Sequence, residues 1–206
     1  MITEVLKSDH PIALQHAADV LKNGGLVSFP TDTVYGLAAL PSGEENIERL
    51  YTVKGRESTR AIAILLSSTA ELLKVTVNPS KAALKLAERY WPGPITLIVP
   101  RHPDLPHILS PNPTIGVRIP DHPFALDLLK LTGPLGVTSA NISGQENTNT
   151  AQEVLEQLDG KIHLVIDGGR SPGSVPSTVV DCTLPEPVIL REGPIKLADI
   201  QTVIGN

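Results

Sequence analysis

Cysteine and aromatic residues are scarce in this chain, and each shortage excludes a class of site. Cys182 is the only cysteine among 206 residues, which excludes a disulfide framework and a cysteine-based metal cluster. Aromatic residues make up 3% of the chain, too few for the base-stacking surfaces of single-strand-binding proteins. The six histidines are scattered and form no H-E-x-x-H pair, which argues against structural zinc. We interpret Cys182 as a small core residue rather than a nucleophile.

Long apolar runs and a positive net charge are also missing. No stretch of 18 or more apolar residues occurs, so we expect no membrane span, and the chain does not begin with the basic-then-apolar order of a secretion signal. The formal net charge is −5, which argues against nucleic acid binding over the whole surface but leaves room for a local basic patch. With 41% apolar residues, the sequence predicts one cytoplasmic domain, residues 1–206.

Short apolar runs alternate with segments of helical periodicity. The predicted strands are LVSF, AIAILL, PITLIV, TIGVRI, LGVTSA, IHLVI, STVVD and PVILR. The predicted helices cover 11–22, 42–53 behind a Ser42–Glu45 capping box, a short segment after Ser68, 79–89 with Pro79 at the first position, 122–133 and a segment after Thr150. Helices between buried strands predict an α/β domain with helices on both faces of a sheet. The last strands lack intervening helices, so we expect a mixed sheet.

Five polar clusters lie where these predicted elements end. They are Thr31-Asp32-Thr33 with Tyr35, Lys54-Gly55-Arg56 with Arg60, Arg118, Ser139-Ala140-Asn141 with Ser143-Gly144, and Ser177-Thr178 with Arg191. Open α/β sheets bind ligands at strand ends. Cations and hydroxyls dominate the clusters and paired carboxylates are scarce, a combination that suits carboxylate and phosphate groups. The clusters therefore predict an anionic ligand, such as a nucleotide together with a carboxylate substrate.

Each cluster also has a purely structural interpretation. Thr31 and Asp32 would form a turn, and Lys54 and Arg56 would compensate a helix dipole. Arg118 would face solvent, Ser139-Ala140-Asn141 would be a strand-to-loop turn, and Arg191 would form a surface salt bridge of small value. The phosphate-loop pattern GxxxxGK[ST] and the nucleophile pattern G-x-S-x-G are both absent from the sequence. No single cluster decides between these interpretations.

Taken in order, the clusters resemble the YrdC/Sua5 family of L-threonylcarbamoyladenylate synthases. The matching elements are FPTDTVYGL, the K-x-R motif at Lys54, WPGPITLIV, IGVRIPDHP, the S-x-N motif at Ser139 running into ISG, IDGG, STVVD and ILREG. The resemblance implies a twisted mixed α/β sheet with a large concave cavity. The chain departs from the family pattern at Glu57 and Thr138, where proline is usual or frequent, and it ends soon after Arg191, which predicts the short single-domain form.

The same resemblance implies an activity and assigns the site residues. L-threonine, bicarbonate and ATP, with Mg²⁺ on the phosphates, would give threonylcarbamoyl-AMP and pyrophosphate for t6A37 modification of tRNA by a downstream t6A-transferase complex. The threonine contacts expected from it are Thr31, Thr33, Tyr35, Leu65, Arg118, Val137 and Ser177. The ATP contacts expected are Lys54, Arg56, Arg60, Thr114, Ser139, Asn141, Asn147 and Arg191, of which Lys54, Arg56, Ser139 and Asn141 form the expected catalytic set.

Two other functions stay open at this point. One is a non-catalytic module that binds tRNA or double-stranded RNA through the cationic clusters, a function that the acidic net charge disfavours. The other is carbamoyl transfer of the hydrogenase-maturation type, which contains a related domain. We rank it last because the sequence shows none of the zinc-finger or acylphosphatase-like segments expected of such a protein.

Overall fold

Ten strands and six α-helices are formed by residues 2–205, the part of the chain that the computed structural model describes. The strands are β1 (Glu4–Lys7), β2 (Val27–Phe29), β3 (Gly36–Ala39), β4 (Ala63–Leu65), β5 (Ile95–Pro100), β6 (Thr114–Arg118), β7 (Leu135–Ser139), β8 (Leu164–Asp167), β9 (Thr178–Asp181) and β10 (Val188–Arg191). The helices are α1 (Ala13–Lys22), α2 (Glu44–Lys54), α3 (Lys81–Tyr90), α4 (Pro123–Thr132), α5 (Ala151–Leu158) and α6 (Leu197–Ile204). Two 3-10 helices cover Thr69–Lys74 and His107–Leu109.

All ten strands form one sheet in the order β1-β8-β2-β3-β7-β4-β6-β5-β9-β10. The parallel pairs are β1–β8, β2–β8, β4–β6 and β5–β9. The antiparallel pairs are β2–β3, β3–β7, β4–β7, β5–β6 and β9–β10. The sheet is therefore mixed, as the sequence predicts.

Two hydrophobic clusters lie on opposite faces of this sheet. Side chains alternate between the faces along a strand, and in β3 the residues Leu37 and Ala39 belong to one cluster while Ala38 belongs to the other. The first cluster packs against α2, α3, α5 and α6, and the second packs against α1 and α4. Helices thus cover both faces, which confirms the predicted α/β architecture.

Three of the predicted helix starts are wrong. Helix α2 begins at Glu44 behind Gly43, with no side-chain cap bond, so Ser42 does not form the predicted capping box. Helix α3 begins at Lys81 instead of Pro79. The Ser80 hydroxyl accepts the Ala83 N–H at 3.2 Å and acts as the cap of this helix. Pro79 therefore precedes the helix instead of occupying its first position.

Helix α1 also begins two residues later than predicted, at Ala13, whereas the starts of α4 and α5 agree with the sequence. Thr150 Oγ1 accepts the backbone N–H of Glu153 at 3.2 Å and caps α5, and Pro123 occupies the first turn of α4, where its missing N–H costs nothing. The longest of the six helices, α2, has 11 residues. No helix within residues 2–205 is long and apolar enough to cross a membrane.

Cys182 lies in the first hydrophobic cluster and is 1% exposed. Burial, with the Asp181 charge, raises the pKa of its thiol to about 12. A thiol in that environment stays protonated and unreactive. The interpretation of Cys182 as a core residue is confirmed.

Candidate functional site

A cavity of about 240 Å³ opens at the ends of the central strands. The structure brings ten of the fifteen predicted site residues to its wall. They are Thr31, Thr33, Tyr35, Arg56, Leu65, Arg118, Val137, Ser139, Ser177 and Arg191. No aspartate or glutamate of residues 2–205 lines this cavity. The wall therefore combines three arginines and several hydroxyls with apolar side chains.

Arg118 ends β6 and is 6% exposed, so its charge needs partners within the protein. Its Nε donates to Gly93 O at 3.0 Å, its Nη1 to Thr33 Oγ1 at 2.9 Å, and its Nη2 to Asp32 Oδ1 at 2.5 Å. Burial lowers the pKa of Arg118, and the Asp32 carboxylate opposes that shift. A guanidinium has five N–H donors, so one hydrogen on each Nη remains for a ligand.

Thr31 and Thr33 lie in the loop between β2 and β3 and are joined by hydrogen bonds of fixed direction. Thr31 Oγ1 donates its proton to Val34 O at 2.7 Å and accepts from the Thr33 backbone N–H at 3.1 Å. Since that proton is committed, the 3.1 Å contact between the two hydroxyls must be donated by Thr33. Thr33 Oγ1 then keeps a single free lone pair, because the other accepts from Arg118.

The K-x-R motif divides at Gly55, which ends α2 in the left-handed region at φ 57°. This backbone turn directs the two cations to different places. Lys54 is 1% exposed, and its Nζ donates to the backbone carbonyls of Ser139 and Asn141. Burial and the Arg56 charge lower the pKa of Lys54 to about 7. Lys54 thus holds the end of β7, whereas Arg56 lines the cavity.

Arg191 and Ser177 form a second polar group on the wall. Arg191 donates from Nε and Nη2 to Ser177 O, at 3.1 and 2.9 Å, and from Nη2 to Ser177 Oγ at 3.1 Å. Ser177 Oγ also shares a 2.8 Å hydrogen bond with Thr96 Oγ1. These bonds fix the Ser177 hydroxyl between a guanidinium and a second hydroxyl.

The three arginines give the cavity its electrostatic character. Burial lowers the pKa of Arg191, and the charges of Arg118 and Arg56 lower it further. Burial and the Arg60 charge do the same to Arg56. Asp32 is the one carboxylate within residues 2–205 that contacts any of the three. An excess of positive charge in a half-buried cavity is what an anionic ligand requires.

Tyr35 helps to connect the strand ends behind the cavity. Its hydroxyl donates to Gly169 O at 2.6 Å and accepts from the Gly168 N–H at 3.2 Å. Burial is the main cause that raises the pKa of Tyr35 to about 12. The phenol therefore stays protonated and ties the loop after β2 to the IDGG turn.

Five predicted site residues do not line the cavity; they are Lys54, Arg60, Thr114, Asn141 and Asn147. Asn141 is 6% exposed and donates to Ile142 O and Gln145 O, so it shapes the loop after β7. Arg60 is exposed, and its carbonyl accepts from Arg56 Nε at 3.2 Å. Their roles as ligand contacts stay predictions.

Asp32 and Thr96 belong to the polar network, although the sequence analysis assigned neither of them a ligand contact. Asp32 was placed in a polar cluster or a turn, and its pairing with Arg118 was not predicted, because the two residues lie 86 positions apart. Thr96 lies between apolar neighbours in β5 and is bonded to Ser177. A lone polar residue inside an otherwise apolar run was the available signal for Thr96.

Comparisons with known proteins agree with this geometry. Residues 19–193 match the family model Sua5/YciO/YrdC, described as telomere recombination. The chain is 37% identical to the threonylcarbamoyl-AMP synthase of Bacillus subtilis (strain 168), over 99% of this chain and 60% of the relative, and 40% identical to that of Pyrococcus abyssi (strain GE5 / Orsay), over 92% and 56%. The chain thus spans about 60% of the length of these relatives.

A solved structure of P. abyssi Sua5 complexed with L-threonine is similar to this fold. Its TM-score is 0.94 at 37% sequence identity, covering 100% of this chain and 61% of that one. A likeness of this extent reaches every strand and helix described above.

Proposed function

The chain belongs to the Sua5/YciO/YrdC family, and on that premise we propose that it is an L-threonylcarbamoyladenylate synthase. It would form threonylcarbamoyl-AMP and pyrophosphate from L-threonine, bicarbonate and ATP, for t6A37 modification of tRNA. The observation that carries the proposal is the convergence of Arg56, Arg118 and Arg191 on one cavity that no aspartate or glutamate of the described residues lines. Two anionic substrates need such an excess of cations.

The chemistry requires positioning more than a covalent nucleophile. The amine of threonine and bicarbonate give a carbamate with loss of water. A carbamate oxygen then attacks the α-phosphate of ATP, a P–O bond forms, and the bond to pyrophosphate breaks. Both reactants carry negative charge, so bringing them together and stabilising the charge on the transferring phosphate is the main task of the protein.

We assign the threonine end of the cavity to Arg118, Thr33 and Ser177. Arg118 keeps one N–H on each Nη and so can bind a carboxylate end-on with two donors. Leu65 and Val137 line the same cavity and supply apolar contacts for the threonine methyl group. That methyl would distinguish threonine from serine by about 1–3 kcal/mol.

We assign the phosphate end to Arg56, Arg191 and Ser139. Two of the Arg56 nitrogens are held by Arg60 O and Ala61 O, which fixes its guanidinium plane beside the cavity. Mg²⁺ would enter with ATP as part of the substrate, because no group of three His, Cys, Asp or Glu side chains within residues 2–205 is placed to hold a metal ion. The phosphates themselves would carry it.

A product assay tests this proposal. Purified protein is incubated with ATP, Mg²⁺, bicarbonate and L-threonine, and pyrophosphate and threonylcarbamoyl-AMP are measured, with a reaction lacking threonine as the control. We expect both products to depend on threonine. Folded protein that binds ATP but yields no product would contradict the proposal, and salt-sensitive binding of tRNA or double-stranded RNA without ATP turnover would then favour the non-catalytic alternative. The cytoplasmic location and the t6A-transferase partner stay predictions.

A further inference from the structure

The surroundings of Arg118 include a carboxylate that is only half used. Asp32 Oδ1 accepts from Arg118 Nη2 at 2.5 Å and from the Asp121 backbone N–H at 3.1 Å. Its other oxygen, Oδ2, is buried and accepts no hydrogen bond from the described residues. A buried carboxylate oxygen without a donor is unusual, because it has lost its hydration without replacement.

The hydroxyl of Thr33, which also contacts Arg118, likewise has only acceptor capacity left. Thr33 Oγ1 accepts from Arg118 and donates to Thr31, whose own proton is committed to Val34 O. Its remaining capacity is one lone pair. Beside Arg118, therefore, both unused valences belong to hydrogen-bond acceptors: Thr33 Oγ1 at the cavity wall and Asp32 Oδ2 behind it. A ligand group bound between Arg118 and Thr33 must supply a proton and tolerate the negative charge of Asp32 nearby.

A zwitterion meets this requirement and a simple anion does not. In an amino acid one carbon carries both the carboxylate and the ammonium group, so a carboxylate bound to Arg118 brings its ammonium within reach of the charge of Asp32, which contacts Arg118 Nη2. An ammonium group has three donors and a positive charge. Phosphate and plain carboxylates bring only acceptors and negative charge, which Asp32 repels.

We propose that Asp32 selects the amino-acid substrate at Arg118 by attracting its α-ammonium group and by repelling anions that lack one. This role rests on the proposed function, because it concerns the threonine end of the same cavity. Asp32 acts as a specificity-determining residue: its charge offsets part of the Arg118 charge, so that end of the cavity does not bind a phosphate of ATP as readily as it binds an amino acid.

Calorimetric binding of two ligands to the wild-type protein and to Asp32→Asn tests the proposal. The ligands are L-threonine and 3-hydroxybutyrate, which is threonine without its amino group. We expect the wild type to bind L-threonine at least about tenfold more tightly, and the ratio of the two dissociation constants to fall to about threefold or less in Asp32→Asn. A ratio that is unchanged by the substitution would overturn the proposal.

Asp121→Asn is the matched control. It removes an equal charge at a residue that contacts Asp32 only through its backbone N–H, so it should keep the wild-type ratio. If it lowered the ratio as much as Asp32→Asn, the effect would be one of net charge, and the specific role would fail. Loss of both ligands to the same extent in Asp32→Asn would also overturn it, since Asp32 would then act only by holding Arg118.

If Asp32→Asn does not fold, the wild type and Asp32→Glu carry the test. Both retain the carboxylate, so both must prefer L-threonine over 3-hydroxybutyrate, and equal affinities in either protein would overturn the proposal. A wild type that binds neither L-threonine nor ATP is a different result. It would refute the proposed synthase function itself, before the role of Asp32 arises.

Discussion

Single residues in this site act through the direction in which their polar groups point. Gly55, in the left-handed region at φ 57°, separates two adjacent cations: Lys54 turns inward to carbonyl groups, and Arg56 turns to the cavity. A side chain at position 55 would be strained in that conformation. The motif K-x-R thus provides one buried support, Lys54, and one charge at the cavity wall, Arg56.

Arg56→Ala should abolish threonine-dependent product formation while the fold is retained. The guanidinium is held against Arg60 O and Ala61 O, lines the cavity, and in the proposed function supplies positive charge to the phosphates of ATP. Removing one such electrostatic contact costs on the order of 100-fold or more in turnover. The measurement is the initial rate of pyrophosphate release, with circular dichroism to verify the fold.

Arg89→Ala is the control for that substitution. Arg89 is exposed on α3, where its guanidinium lies 5.2 Å from the Tyr90 ring centroid, so its loss removes the same charge outside the cavity. We expect a rate close to that of the wild type. Product formation retained by Arg56→Ala would contradict the assignment of Arg56 to ATP.

At the scale of elements, Lys54 connects the end of α2 to the end of β7. Its amino group donates to the carbonyls of Ser139 and Asn141. Burial lowers its pKa to about 7, whereas an unfolded chain leaves it near 10.5. Between these two values the unfolded state binds more protons than the folded state, so the Lys54 contribution to stability rises with pH.

Unfolding of the wild type and of Lys54→Met at several pH values between 7 and 10 measures this contribution. Methionine has a similar length and no charge. The free energy of unfolding of the wild type, minus that of the variant, should increase as pH rises, by up to about 1.4 kcal/mol per pH unit. A difference between the two proteins that does not change with pH would show that Lys54 keeps its proton in the folded chain.

The elements predicted correctly are those that a short apolar run or a helix cap marks in the local sequence. Every apolar run singled out as a strand became one, and Thr150 capped α5 as its spacing to Glu153 indicates. The structure adds β1, β3 and α6. β1 is largely exposed, so it shows no alternation, and α6 begins behind Lys196, whose N–H bonds to Asp199 Oδ2, a start without the usual Ser or Thr cap.

At the scale of the whole molecule, contacts between distant strands assemble the site. β2 and β6 are separated by three strands, and in a flat sheet strands about 4.8 Å apart would place them about 19 Å from each other. Asp32, just after β2, nevertheless contacts Arg118 at the end of β6. The strand order and this contact depend on long-range pairing, which residue patterns along one chain do not encode. That is why the pairing of Asp32 with Arg118 could be recognised only in the structure.

Because both substrates would fill one cavity, their binding should stabilise the whole fold. A ligand at 100 times its dissociation constant adds about 2.7 kcal/mol to the free energy of unfolding. For a domain of this size that corresponds to a rise of about 5–11 °C in Tm. We expect ATP with L-threonine to produce a rise of this order in a thermal unfolding experiment.

L-serine in place of L-threonine is the matched control for the apolar part of the cavity. Serine lacks the methyl group that Leu65 and Val137 would contact, and a binding loss of about 1–3 kcal/mol should reduce the added rise in Tm to about two thirds or less at equal concentration. Equal shifts with the two amino acids would contradict the assignment of that wall. A larger rise in Tm with double-stranded RNA that salt abolishes would instead contradict the synthase function. The arginines would then bind the phosphates of a polyanion rather than two small anions in the cavity.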